Sequence, residues 1–98
     1  MKRAGKKQPA LDLETAEAVA LQGLAFLAED GARLARFCTA TGLDPAELRA
    51  RAGTGELLAA VLEHLAGDES LLLVFASGRD IAPERIGQAS AVLEGARR

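Results

Sequence analysis

The chain has no tryptophan and no tyrosine, and its only aromatic residues besides one histidine are three phenylalanines. It holds one cysteine, one histidine and three prolines. Each scarcity excludes something. A single cysteine cannot close an internal disulfide, and one Cys with one His cannot furnish a structural zinc site. No apolar run approaches the roughly 18 residues of a membrane-spanning helix. The N-terminus is basic but leads into no apolar stretch of about 7–15 residues, so it does not read as a signal peptide.

Alanine and leucine fill the space that these absences leave. There are 21 Ala and 16 Leu among 98 residues, and both are strong helix formers. Apolar residues make up 49% and charged residues 27%, a composition of folded rather than disordered chains. The expectation is one soluble, reduced, cytoplasmic all-α domain: a compact orthogonal bundle of about six helices spanning 12–96. Residues 1–10 carry four cations and no acid, residues 11–96 have a net charge of −8, and Arg97 and Arg98 follow. Residues 1–11 therefore read as a disordered basic tail on an acidic body.

Helix punctuation is legible along the body. Asp12 opens a stripe of Leu13, Ala16, Ala20, Leu24 and Leu27, widened by Val19 and Phe26. Gly23 in that stripe offers room for a close helix crossing. Asp30-Gly31 starts a second helix that Gly42 stops. Asp44-Pro45-Ala46-Glu47 combines an N-cap, a proline at the first helical position and a capping-box glutamate. Thr54 opens a fourth helix with Leu57, Leu58, Val61, Leu62 and Leu65. Asp68 caps a fifth, in which Leu71 to Phe75 are all large and apolar, as expected of a central helix. Pro83 opens a sixth, with Ile86, Ala89, Ser90 and Leu93 facing inward.

A shift of 38 residues lays 16–53 over 54–91 without gaps. Seven pairs are identical, among them Asp30/Asp68, Phe37/Phe75 and Pro45/Pro83; Ala and Leu frequencies alone give about three. The chain thus reads as two copies of a helix–helix–short-helix unit packed around a pseudo-twofold axis. The competing explanation is ordinary helical periodicity in a Leu/Ala-rich chain.

No Gly-rich phosphate loop, GxSxG, HExxH or paired-carboxylate motif is present. His64 lies near a helix end, where the helix dipole favours a cation, and nothing in the spacing gives it a nucleophile. Cys38 occupies an apolar position beside Phe37 and behaves as a small hydrophobe. No catalytic residue, cofactor site or metal site is expected. The stretch 37–50, FCTATGLDPAELRA, is similar to the core of helix-turn-helix motifs, with Gly42 in the turn and Leu43, Asp44, Pro45 and Leu48 following. That likeness implies nucleic-acid contacts from Arg49 and Arg51, which the acidic body and the lack of Asn, Gln or Lys on this helix disfavour. The favoured reading is a non-enzymatic module binding another protein or a second copy of itself, with Leu57, Leu58, Val61 and Phe26 as candidates for a surplus apolar patch. A helix-turn-helix-like DNA-binding regulator is the alternative.

The segment Ala20-Leu21-Gln22-Gly23-Leu24-Ala25-Phe26-Leu27-Ala28, then Arg36-Phe37, Gly42-Leu43-Asp44-Pro45 and Leu71-Leu72-Leu73-Val74-Phe75-Ala76, carries a further resemblance. From about Glu17 to Leu93 the chain resembles an uncharacterised family of small bacterial proteins, a domain of unknown function. The resemblance implies a small helical domain in a bacterial cytoplasm. It transfers no catalytic residue.

Overall fold

The structure, a computed structural model, describes residues 11–96. Six helices follow one another: α1 (Leu13–Ala28), α2 (Gly31–Thr41), α3 (Pro45–Ala50), α4 (Gly55–Ala66), α5 (Glu69–Arg79) and α6 (Pro83–Ala96). There is no strand among the described residues, and the fold is an all-α bundle. The expected tail lies outside the described residues except for Leu11, which packs against the core.

Side-chain caps set the helix starts. The Asp12 carboxylate accepts the Thr15 amide at 2.8 Å, Asp30 accepts the Ala32 and Arg33 amides at 2.9 and 3.2 Å, and Asp68 accepts the Leu71 amide at 3.1 Å. Thr54 accepts the Leu57 amide at 3.2 Å. At α3 the box is complete: the Glu47 amide donates to Asp44 and the Asp44 amide donates to the Glu47 carboxylate. Each cap satisfies amides that have no partner within the helix. Left-handed residues stop two helices. Gly42 (φ 79°) donates its amide to the Cys38 carbonyl, and Asp80 (φ 57°) ends α5 while the Ile81 amide reaches back to the Ala76 carbonyl.

The core is a triangle of α1, α4 and α6. α4 contributes the most buried side chains, Leu57, Leu58, Ala59, Val61, Leu62 and Leu65. Gly23 is what brings α1 against α4, since a Cβ there would lie 2.9 Å from Leu65 Cδ1 and 3.0 Å from Val61 Cγ1. Phe37 and Phe75 are fully buried. At the corner where α5 meets α1, the Phe26 and Phe75 rings stand 5.2 Å apart, the Arg33 guanidinium lies 4.3 Å from the Phe26 centroid, and Arg79 pairs with Glu29 at 2.9 Å.

Two expectations are corrected and a third is not confirmed. Leu57, Leu58, Val61 and Phe26 form no surface patch; all four are core residues. α5 is peripheral, with Leu73 48% and Val74 51% exposed, because five consecutive residues at 100° steps circle the helix and an edge helix must turn some of them outward. The pseudo-twofold repeat is not confirmed by the helices. Under the 38-residue shift α2 and α5 agree in length and in their caps, but α3 has six residues against fourteen in α6. α6 packs on both α1 and α4, whereas α3 buries Leu48 alone.

Candidate functional site

The turn at Gly42 bends the chain from α2 into α3 and leaves a groove between that bend and α4. Its volume is about 360 Å³. One wall comes from the end of α2 and the following turn, through Ala40, Thr41 and Leu43; the other is the α4 face of Glu56, Leu57, Ala60 and Glu63. Arg51, just past α3, completes the lining. Leu57 belongs to the buried core and Leu43 packs against it, so the groove floor is apolar. The Thr41 hydroxyl donates to the Phe37 carbonyl at 2.9 Å, so its proton is already committed to the α2 backbone. Glu56 and Glu63 are exposed, and neither they nor Arg51 form an ion pair among the described residues.

Two other hollows are shallower in chemistry. One, of about 560 Å³, runs along the α5–α6 turn past Leu73, Ala76, Ile81 and Pro83, with Asp80 as its charged residue. The other, of about 330 Å³, lies between Val19 and Gln22 of α1 and Arg85 of α6. Arg85 Nη1 is buried there without a hydrogen-bond partner among the described residues, which costs stability rather than presenting a donor to solvent.

The sequence candidates are not brought together. Arg49 and Arg51 are both exposed. Two residues apart at a helix end, they point to different sides; Arg51 lines the groove and Arg49 does not. His64 is half-buried, its ring edge-on to Phe37 at 5.2 Å between centroids. Cys38 is a half-buried free thiol packed against the core. Among the described residues, no group of three or more His, Cys, Asp or Glu side chains could hold a metal ion, and no helix is long and apolar enough to cross a membrane. Two carboxyls are perturbed. Hydrogen bonds from the Thr15 side chain and then its amide hold Asp12 below the ordinary range. The Arg33 amide, then the Ala32 amide, do the same for Asp30, helped by the charges of Arg33 and Arg36. Both groups are helix caps rather than parts of a site.

Sequence reasoning missed the groove. Glu56 and Glu63 stand seven residues apart on one face of α4, and Ala60 lies between them, a spacing visible in the chain; what was not visible is that the α2–α3 bend walls that face.

The arrangement defines a small all-α domain with a groove of mixed apolar and charged lining between the α2–α3 bend and α4. The chain belongs to the family described as "protein of unknown function (DUF3572)", whose model matches residues 13–96. No curated protein and no solved structure matches it.

Proposed function

We propose that the domain is a non-enzymatic protein–protein interaction module of the cytoplasm and that the groove between the α2–α3 bend and α4 is its docking site. The observation that carries this reading is an apolar floor, built from Leu43, Leu57 and Ala60, beside unpaired charged side chains. Recognition sites characteristically combine apolar surface with a few convergent polar groups. About 360 Å³ lies at the small end of the roughly 300–1,000 Å³ of ligand pockets, which suits one or two side chains of a partner better than a whole cofactor. Neither His64 nor Cys38 lines this groove, which supports a binding role over a catalytic one.

The test is a photo-crosslinking residue placed in turn at Ala40, in the groove, at Arg49 and Arg51, and at Gly87, an exposed helix position with nothing within 4 Å. In the host cell the expected result is a discrete protein adduct from position 40 and none from position 87. Absence of any protein adduct at 40, with nuclease-sensitive adducts from positions 49 or 51 instead, overturns the reading in favour of DNA binding.

A further inference from the structure

The rim of the groove constrains what the occupant must look like. Glu56, Ala60 and Glu63 are at i, i+4 and i+7 on α4, hence on one face. At 1.5 Å per residue the two carboxylates are about 10 Å apart along the axis, with the small Ala60 between them opening the floor. Across the groove stand Ala40 and Leu43, which carry no charge. The lining therefore places two unpaired carboxylates against one guanidinium, Arg51, around an apolar slot. The body that surrounds it, residues 11–96, has a net charge of −8, so the long-range field favours a cationic partner as well.

We infer that the groove receives an amphipathic helical segment of a partner protein, with Lys or Arg residues about seven apart bracketing large apolar side chains. A helix is the matching element because its own i, i+7 spacing repeats the spacing of Glu56 and Glu63, and its i+3 and i+4 positions then fall over Ala60 and Leu43. The apolar side chains fill the slot while the cations reach the two carboxylates. Charge complementarity of this kind sets orientation and partner choice more than raw affinity. The inference rests on the interaction-module reading and adds to it the chemistry of the partner.

The experiment uses the full chain and a labelled helical peptide of roughly 18 residues, with lysines seven apart bracketing two leucines, read by fluorescence anisotropy at low and physiological salt. The expected result is saturable binding. Glu56→Lys with Glu63→Lys weakens it about tenfold or more, since two attractions become repulsions. Glu14→Lys with Glu84→Lys, the same charge change outside the groove, alters it less than about twofold. Ala60→Leu keeps both carboxylates but fills the slot, and it too weakens binding about tenfold. Circular dichroism confirms that each variant is folded.

Several results overturn the inference. Equal binding of a scrambled peptide of the same composition shows mere attraction to an acidic body. Binding that ignores the Glu56/Glu63 and Ala60 changes places the site elsewhere. A crosslink from position 40 to residues 1–10 of the same chain shows that the chain's own basic segment fills the groove. A dimer in sedimentation equilibrium that Glu56→Lys with Glu63→Lys dissociates makes a second copy the occupant. No peptide binding, together with a protein adduct from position 40, refutes the partner chemistry and leaves the module reading standing. Loss of both refutes both.

Discussion

Gly23 and Asp80 hold opposite kinds of local tension. At Gly23 the backbone is an ordinary helix and the crowding comes from outside, from Val61 and Leu65 of α4. Gly23→Ala gains about 1 kcal/mol of helix propensity but forces a methyl against a stiff valine and a fully buried leucine, at about 1–3 kcal/mol. The expected outcome in urea melts is a net loss of about 1 kcal/mol. Gly87→Ala is the control: its position is helical and open, and the same measurement should show a gain of about 0.5–1 kcal/mol. A stabilised Gly23→Ala would mean that α1 and α4 are farther apart than the structure places them. Asp80 is crowded by its own backbone, since φ 57° is unfavourable for any residue with a Cβ. Asp80→Gly should therefore stabilise by about 0.5–1 kcal/mol. At the corresponding helix end α2 already uses glycine, Gly42.

Helix starts were the most legible elements, because they depend on local chemistry. An aspartate or threonine whose oxygen reaches an amide two or three residues on needs no distant partner; Asp30, Asp44 and Asp68 cap as their spacing predicts, and Asp12 and Thr54, legible only as helix starts, cap in the same way. The position of α5 was not legible, since Leu71 to Phe75 reveal hydrophobicity all round but not how many neighbours exist to cover it. The caps also give the domain an acid-sensitive component. Amides hold the Asp30 carboxyl below its ordinary range in the folded state, so the native protein favours the ionised form more than the unfolded chain does. The stabilisation is complete above the ordinary aspartate range and is lost as pH falls through the lowered native value. Asp12 adds a second contribution of the same sign. Urea midpoints measured from about pH 7 to about pH 3 should fall on the acid side. Asp30→Asn, which still accepts the Ala32 and Arg33 amides but does not titrate, should make that fall shallower. An unchanged acid limb would show that Asp30 is not among the titrating groups.

For the whole molecule, the sequence identifies what is buried better than what is left open. Phe37 and Phe75, paired by the 38-residue shift and flanked by apolar helix, are fully enclosed, so Phe75→Ala should cost about 3–5 kcal/mol in denaturant melts, with a loss under 1 kcal/mol contradicting the packing. The groove was hidden because it exists only where the α2–α3 bend overhangs α4; Leu57 and Ala60 look like core stripe, and Glu56 and Glu63 look like a solvated face, until that bend is placed. The same three-dimensional placement bears on nucleic acid. Non-specific duplex affinity comes mostly from cations aligned on phosphates, and here Arg49 and Arg51 diverge, with Arg51 committed to a groove that also holds two carboxylates. Residues 11–96 at −8 repel the backbone, which leaves the four cations of residues 1–10 as the main attraction. Fluorescence anisotropy on random duplex should therefore show no binding tighter than about 100 μM at physiological salt. Whatever binding low salt permits should weaken in Lys6→Glu with Lys7→Glu and change little in Arg49→Ala with Arg51→Ala. Tight, salt-tolerant binding that survives the lysine changes and disappears with the arginines would instead make α3 a recognition helix, and the acidic groove beside it would have to face away from the DNA.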